Sequence, residues 1–401
     1  MSSQKPENRI CQNCKQDFVI EPDDFGFYEK IQVPSPTFCP ECRLVRRLLW
    51  RNDRYLSKVN CHLCGRSTLS TFLEDADQTL FCAVCYRSDK WNPLDYGQNY
   101  DFSKPFFEQF KEFFKKVPVR AIAANKTLIN SPYTSLASNL KDCYLIFNAD
   151  YSENCMYGTE IENSKDCVDN TMIDECEQGY ENINCQKCYK SFFSTDCMES
   201  SDIWFSTDLV GCLNCFGCVG LRHKSYHIFN QPCSKELYEQ KMKEIFNGDF
   251  NQIPGILAKV KEIYLKTARR YMRGRQNINT TGDYIYNSKN VKNSYIVSEA
   301  ENCNYCMWLI TPGFKKDCWD YTEYGERVEN IYDSVTVGKN SSNIKFSNVI
   351  SNATNVEYSY GCRDVHDIFA CSGVTKKASA FLTNSTPRKN TRNSFLKSLN
   401  I

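Results

Sequence analysis

Residues 141–168, KDCYLIFNADYSENCMYGTEIENSKDCV, contain the pattern that decides the fold of this chain. Cys143, Cys155 and Cys167 lie twelve residues apart, each in a short alternating segment bounded by Asn, Asp or Ser. Short strands with frequent turns and no helix between them favour stacked parallel coils. We predict a right-handed parallel β-helix in which two units, about 24 residues, make one coil. Inward Cys, Ile, Val and Ser side chains would form its core, and Asn side chains would cap its turns.

The repetitive part of the chain is itself duplicated. Lys141-Asp-Cys-Tyr matches Lys292-Asn-Ser-Tyr, and Cys218-Val-Gly-Leu matches Cys371-Ser-Gly-Val. An internal repeat of this kind indicates two copies of one solenoid unit. The predicted division is copy one over residues 131–233, a helical insertion over 234–280 with helices at 234–246 and 254–273, and copy two over 281–380.

A phenylalanine-rich segment precedes the first copy, in the stretch 91–130. Its phenylalanines recur at helical spacing and Pro118 follows them, so we predict a helix capped by Ser103. We expect this helix to cover the open end of the first coil, which would otherwise expose apolar surface.

Four Cys-x-x-Cys pairs occupy the N-terminal region. Two thiolates at this spacing hold one side of a metal ion, and a second pair completes a tetrahedral shell. We predict two Zn²⁺ ions per chain, bound by consecutive pairs in two zinc-ribbon or treble-clef modules over residues 1–60 and 61–90. Interleaved pairing of the knuckles is the alternative. The eight predicted ligands are Cys11, Cys14, Cys39, Cys42, Cys61, Cys64, Cys82 and Cys85.

Residues 11–47, CQNCKQDFVIEPDDFGFYEKIQVPSPTFCPECRLVRR, resemble the probable zinc-ribbon domain of uncharacterised bacterial proteins. In that family a C-x-x-C pair and an F-Y step precede P-x-x-C-P-x-C-R-x-x-R. Residues 91–110, WNPLDYGQNYDFSKPFFEQF, resemble long bacterial proteins in which such a head precedes a Cys- and Tyr-rich body. The resemblance implies zinc and implies no activity.

A run of basic residues follows the second knuckle. Spaced at three and four residues, these cations would line one face of a helix. They are candidate phosphate contacts for nucleic acid, and the alternative is a solvated helix face. A second basic face over Lys259–Arg275 raises the same two possibilities. The candidates of the first run are Arg43, Arg46, Arg47, Arg51, Arg54 and Lys58.

A further group of metal-ligand types lies in the first copy. Cys212, Cys215 and Cys218 are followed by His223 and His227, which makes this group a candidate additional metal site. The alternative is that its cysteines pack as small apolar residues in the core. No catalytic residue and no nucleotide-binding motif emerge from the sequence.

Composition and tail complete the sequence picture. The net charge is +1 and no segment has the apolar length of a membrane span, so we expect a cytoplasmic protein without a membrane partner and with reduced cysteines.

Residues 381–401 break the pattern of the first copy. Bases that encode this peptide, shifted by one position, would restore agreement with the first copy, so we interpret it as a disordered, out-of-frame tail.

Together these features predict a mainly β, non-enzymatic, zinc-binding protein whose solenoid binds a protein or polymer partner. Two alternatives remain: nucleic-acid binding through the two basic faces, and a carbohydrate-active β-helix enzyme. The second alternative requires carboxylates clustered in a groove of the solenoid.

Overall fold

The computed structural model describes residues 5–123, 127–246, 248–309, 315–316, 318–322, 325, 329–382 and 384–385. Its secondary structure is mainly β, with 41% strand against 18% helix, and most strand pairs are parallel. The predicted mainly β class is therefore confirmed.

Within these ranges six α-helices interrupt the strands. None of the helices within these ranges has both the length and the apolar character needed to cross a bilayer. The helices are α1 (Pro22–Ile31), α2 (Pro40–Leu48), α3 (Ala83–Tyr86), α4 (Phe106–Lys116), α5 (Lys235–Ile245) and α6 (Ile253–Lys266), and 3₁₀ turns cover Pro93–Tyr96 and Phe250–Gln252.

The strands form a small head region and two large parallel sheets. The head strands are Glu7–Ile10, Asp17–Ile20, Ser57–Asn60, Ser67–Ser70, Leu80–Phe81 and Val119–Arg120. The strands that we call the first stack are Leu128–Ile129, Ser135–Ser138, Leu140–Lys141, Tyr144–Asp150, Met156–Glu162, Lys165–Val168, Thr171–Asp174, Glu177–Tyr180, Ile183–Gln186, Tyr189–Phe192, Ser201–Trp204, Leu213–Phe216, Ser225–Ile228 and Gln231–Pro232. Those of the second stack are Gly274–Arg275, Ile278–Tyr286, Lys289–Ser298, Ala300–Asn304, Met307–Leu309, Lys315–Lys316, Glu329–Tyr332, Val335–Gly338, Ser342–Lys345, Asn348–Glu357, Arg363–Phe369, Ala378–Phe381 and Asn384–Ser385.

Strand register sets the length of one coil in the first stack. Thr159 pairs in parallel with Thr171, and Thr171 pairs with Ile183, so each strand lies beside the strand twelve residues later. One turn of the chain therefore takes twelve residues, and the prediction of about 24 residues per coil is wrong. The twelve-residue unit is a whole coil, because it turns four corners rather than two. The right-handed sense of the winding stays a prediction.

The corners come from a three-residue period. Every third side chain points into the bore, as at Cys155, Ile161 and Cys167. The residue before each inward position takes a positive φ, such as 51° at Asn154 and 55° at Asp166. Left-handed backbone is unfavourable for most L-residues and least so for Asn, Asp and Gly, which explains why these residues recur. In the first stack the apolar residues at these inward positions are Ala, Cys, Ile and Leu, which are short or slender.

Inward hydroxyl groups satisfy the backbone of the next coil. The Cys176 N–H donates to Ser164 Oγ at 3.2 Å, and Ser164 Oγ donates to the Glu162 carbonyl at 2.6 Å. Inward thiols also donate to buried carbonyls, as Cys155 Sγ does to Glu153 O at 3.4 Å. Unpaired polar backbone groups in the bore would be costly, so Ser, Asn and Cys are favoured there over larger apolar residues.

The second stack has the same construction with longer intervals in its middle. Its register is twelve residues at Val291↔Cys303, fifteen at Asn304↔Trp319 and thirteen at Trp319↔Tyr332. Both stacks end in the same antiparallel hairpin, since Phe381 pairs with Asn384 as Ile228 pairs with Gln231. Residues 386–401, the greater part of the predicted out-of-frame tail, lie outside the described residues.

The helical insertion covers an apolar face of the first stack. Helix α5 is capped by Ser234, as the predicted start at that residue implies. Val260 of α6 packs with Phe216, in a cluster that also contains Tyr238 of α5. Helix α6 ends at Lys266 rather than at residue 273, because Thr267 already has extended backbone.

The prediction that helix α4 covers the first coil of the first stack is wrong. Phe106 and Phe113 instead pack against Phe369 and Phe381 on the second stack, with 5.1 Å between the Phe106 and Phe369 ring centroids. The predicted cap is also displaced, because Pro105 is the N-cap residue and Ser103 lies outside the helix. The aromatic column that attracts α4 lies more than two hundred residues away in sequence.

The hydroxyl network generates a stability prediction. Ser164→Ala removes the acceptor for Cys176 N–H in the bore, and we expect a loss of about 1–3 kcal/mol in the free energy of unfolding. Ser201→Ala is the matched control, because Ser201 has an outward position in its strand. Urea unfolding of the three proteins measures the difference. Equal losses in the two variants would contradict the importance of the inward hydroxyl group.

Candidate metal centres and their docking interface

Each metal-ligand group combines a hairpin knuckle with the start of a helix. In the first group, Glu7–Ile10 and Asp17–Ile20 form an antiparallel pair that carries Cys11 and Cys14 at its turn. Cys39 is the N-cap residue of α2, and Cys42 lies within its first turn. The predicted combination of a hairpin with a helix start is therefore present.

The second group repeats this arrangement. Ser57–Asn60 pairs with Ser67–Ser70 around the Cys61/Cys64 knuckle, and Cys82 caps α3. Gly65 closes the knuckle with a φ of 71°, as its position predicts. The alternating residues 67–72 and 79–81 predict a hairpin between the two knuckles. That prediction is wrong, because Leu80–Phe81 pairs in parallel with Val119–Arg120 instead of with the strand Ser67–Ser70.

The pairing of the knuckles is sequential. The four sulfur atoms in each group lie within 4.8 Å of one another, and among the described residues only these two groups of His, Cys, Asp or Glu approach so closely. Four soft thiolate donors at this spacing fit one tetrahedral metal ion. The groups that could each hold one ion are Cys11, Cys14, Cys39 and Cys42, and Cys61, Cys64, Cys82 and Cys85.

Backbone N–H groups favour the thiolate form of one cysteine in each group. Burial raises the pKa of Cys11, but N–H donors that include Cys39 N outweigh it and lower that pKa to about 6. At Cys61 burial is likewise outweighed by N–H donors that include Cys82 N, and the pKa is again about 6. The two donors lie 3.3 and 3.2 Å from the sulfur atoms. A deprotonated thiol is the form that binds metal.

The sequence predicts that His62 fills the knuckle rather than binds metal, because four cysteines already close the shell. Its Nδ1 accepts a hydrogen bond from Leu80 N at 3.0 Å, so the ring links the knuckle to the following strand. It does not belong to the second group of metal ligands.

The basic residues of α2 face the second stack. Arg43 is 2% exposed and forms an ion pair with Asp320, which is fully buried. Arg47 is also 2% exposed, and its Nη1 donates to Asp333 Oδ1 at 3.2 Å. Arg46 pairs with the same Asp333 carboxylate. Phosphate contact by Arg43 and Arg47 is thus wrong for this structure, and so is a solvated face. The partners of these arginines are distant in sequence.

In this interface, burial and the neighbouring opposite charges shift the pKa of each ionisable group in opposite directions. Burial alone would lower the pKa of Arg43, but Asp320, Tyr28 and Tyr332 together outweigh this effect and raise it. Burial also raises the pKa of Asp333, against the effect of Arg46 and Arg47. Buried ion pairs are tolerated when every charge has a partner, and removal of one partner is costly.

Aromatic residues of α1 complete the docking interface. Phe27 stacks on Trp319 with ring centroids 4.0 Å apart. Asp24 accepts hydrogen bonds from Trp319 Nε1 at 2.8 Å and from the Tyr305 hydroxyl at 3.1 Å. Tyr28 packs edge-on against Tyr332. The first metal-ligand group and the second stack therefore share one hydrophobic and polar interface, which sequence reasoning missed because neither half has a local signal.

The remaining basic candidates have different surroundings. Arg51 pairs with Asp53 at 2.9 Å, whereas Arg54 and Lys58 are exposed and lie beyond the end of α2. In the second basic stretch Arg273 pairs with Asp196 at 2.9 Å. Several cations of that stretch face solvent on α6 or after it, namely Lys259, Lys266, Arg269, Arg270 and Arg275.

The predicted additional metal site is not assembled. Cys212, Cys215 and Cys218 point into the bore and are at most 2% exposed, and their thiols donate to backbone carbonyls. His223 occupies a left-handed corner, and His227 Nδ1 lies 2.8 Å from the Ser225 carbonyl oxygen. The ligand atoms of this group do not all lie within 4.8 Å of one another as those of the two head groups do, and its cysteines are core residues of the first stack. Metal binding by this group stays a prediction.

Comparison with known proteins adds no relative to this picture. No protein-family model matches the chain, and no curated protein matches it at a significant level.

Loss of one docking arginine should reduce stability strongly. Arg43→Met leaves Asp320 buried with its principal partner removed, and we expect a loss of about 3–5 kcal/mol in the free energy of unfolding. Arg54→Met, an exposed arginine close by, should change it by less than about 0.5 kcal/mol. Thermal and urea unfolding of the metal-loaded proteins measure both effects. Adding Asp320→Asn to Arg43→Met should restore part of the loss, and no restoration would contradict the ion pair.

Proposed function

We propose that this chain is a non-enzymatic zinc-binding protein in which two zinc-ribbon or treble-clef modules are fastened to a duplicated β-solenoid that serves as a binding scaffold. The observation that carries the proposal is the interface between α2 and the second stack. The helix that begins at Cys39 sends Arg43 and Arg47 into buried ion pairs with Asp320 and Asp333. A metal ion that orders the start of α2 would thereby order the docking surface.

The ligand chemistry favours zinc in a structural role. A shell of four cysteines is closed, whereas catalytic zinc keeps a coordination position for water or substrate. Binding energy at such a site contributes directly to folding. The resemblance to the probable zinc-ribbon family points the same way. The F-Y step and the R-x-x-R segment of that motif correspond here to residues at the docking interface, namely Phe27, Tyr28, Arg43 and Arg46.

The partner that we propose for the solenoid is a protein or a polymer. A row of tyrosines projects from neighbouring coils of the first stack. Tyr133, Tyr144 and Tyr157 are between 37% and 50% exposed, and successive rings lie 5.3 and 5.7 Å apart. Exposed aromatic rings at regular spacing supply contact area to an extended ligand.

Metal analysis tests the zinc proposal directly. We expect two zinc ions per chain in the purified protein, one in Cys14→Ser and two in Cys143→Ser, because Cys143 is an inward residue of the first stack. Chelation should also increase hydrogen exchange in α2 and at Trp319 together, since the two share the docking interface. Fewer than two ions in the unmodified protein, or equal metal loss in both variants, would contradict the proposal.

A second candidate function, carbohydrate cleavage, is favoured by one observation. Asp150, Glu162 and Asp174 occupy adjacent positions on an outward face of three coils. Burial, with a further contribution from Asp174 and Asp150, raises the pKa of Glu162. Neighbouring carboxyl groups, one of them with a raised pKa, are the groups that glycoside hydrolysis uses.

A screen of polysaccharide hydrolysis tests this second candidate. Any activity should be lost in Glu162→Gln and retained in Glu153→Gln, which changes an exposed carboxylate on another face of the same stack. Absence of reducing-sugar release from all polysaccharides tested, or equal activity in the two variants, would eliminate this use of the carboxylates.

A further inference from the structure

A groove of about 730 Å³ lies between α4, the segment after α2 and the second stack. It exists because α4 docks on the second stack rather than on the first coil of the first stack. A volume of this size is typical of sites for small organic ligands. The groove is separate from both groups of metal ligands.

Aromatic rings form the walls of the groove. Trp50, Phe110 and Phe114 lie on one side, and Tyr358 and Tyr360 lie on the other. Trp50 is 54% exposed, although its ring contacts Phe114 and Tyr360 at centroid distances of 6.3 Å. An exposed indole held by two other rings is a ready surface for a further planar ring.

One polar group in the groove lacks a partner. Gln78 Oε1 is buried, and no hydrogen-bond donor reaches it in the described structure. A buried acceptor without a donor is costly. The side chain of Asn348 lines the same groove. Amide side chains of this type pair with the polar edges of heterocyclic rings.

The charge of the groove is positive. Arg46, Arg47, Lys111 and Lys115 line it, against the carboxylates of Asp77 and Asp333. Lys115 contacts Asp77 at 3.1 Å and Glu112 at 3.5 Å, and both arginines pair with Asp333. Lys111 is exposed on the outer edge of α4 and, among the described residues, forms no ion pair, so the available positive charge of the groove is at Lys111.

We propose that this groove binds one nucleotide unit, with the base among the aromatic rings and the phosphate at Lys111. Stacking on aromatic side chains beside a cationic groove is how single-stranded nucleic acids are held. A neutral sugar would form no ion pair with the cations of the groove, and the acidic side chains of a peptide would not stack on its aromatic wall. Free nucleotides and unpaired nucleotides within a strand present the same chemistry. The residues differ from the two basic faces predicted from sequence, apart from Arg46 and Arg47.

Titration calorimetry of the zinc-loaded full chain tests the proposal. The probes are AMP, UMP, a short single-stranded RNA, its duplex and a neutral oligosaccharide, each at low salt. We expect Trp50→Ala to weaken binding of the nucleotide probes about tenfold, because stacking of one base is worth about that much. Lys111→Gln should weaken binding about fivefold and reduce its salt dependence, through loss of a phosphate contact. Lys116→Gln is the matched control on α4, because Lys116 is exposed and does not line the groove.

Each result of the titrations either supports the proposal or overturns it. Binding of mononucleotides as tight as that of the strand supports a free nucleotide as the ligand, and a strong preference for single-stranded RNA supports a strand. Failure of every nucleotide probe to bind at millimolar concentration overturns the proposal. So does binding that Trp50→Ala leaves unchanged, or tighter binding of the duplex or the oligosaccharide. Zinc content and circular dichroism of each variant separate loss of this site from loss of the fold or of the metal centres.

Discussion

The fold depends on satisfying buried backbone groups inside a narrow bore. A coil of twelve residues with a left-handed residue at every third position directs inward backbone N–H groups to places where no strand partner is available. Inward Ser and Asn side chains of the preceding coil accept these hydrogen bonds, as Ser164 does for Cys176 and Asn170 does for Asn182. The same constraint explains the composition of the body. Small residues with a polar atom both fit the bore and satisfy its backbone, whereas larger apolar residues do only part of this.

The docking of the head on the second stack depends on offsetting the cost of buried charges by ion pairs. Arg43 and Arg47 are buried, which is costly unless each charge finds a partner. Asp320 and Asp333 provide these partners from the part of the second stack where the coil interval lengthens to fifteen and thirteen residues. The Phe27–Trp319 stack lies beside them. The first group of metal ligands and the second stack thus share one interface, and α2 contributes residues to both.

Local patterns predicted the features that depend on local chemistry. The four cysteine pairs predicted two ligand groups and their sequential pairing, because four thiols at knuckle spacing can converge only in a few ways. The interval between Cys143 and Cys155 predicted stacked parallel strands, and Ser234 marked the start of α5. The coil length was wrong because a twelve-residue repeat is compatible with half a coil or a whole one. The half-coil and whole-coil alternatives differ in the number of left-handed corners. Side chains such as Asn and Asp favour a left-handed backbone but do not require it, so the sequence leaves the number of corners open.

By itself the sequence determined the ligand groups and the parallel strands of the repeat, because each follows from the spacing of residues within short segments. Tertiary structure alone decided where the cations and aromatic rings lie. The arginines after Cys42 have the same spacing whether they meet phosphate, water or Asp320, and only the folded chain brings Asp320 to them. Likewise, the phenylalanines of α4 predict a helix with an apolar face. That face packs against the aromatic residues around Phe369 on the second stack, and the groove lies beside this contact. Contacts between residues hundreds of positions apart have no local signal, since their free energy arises only when both surfaces are already formed.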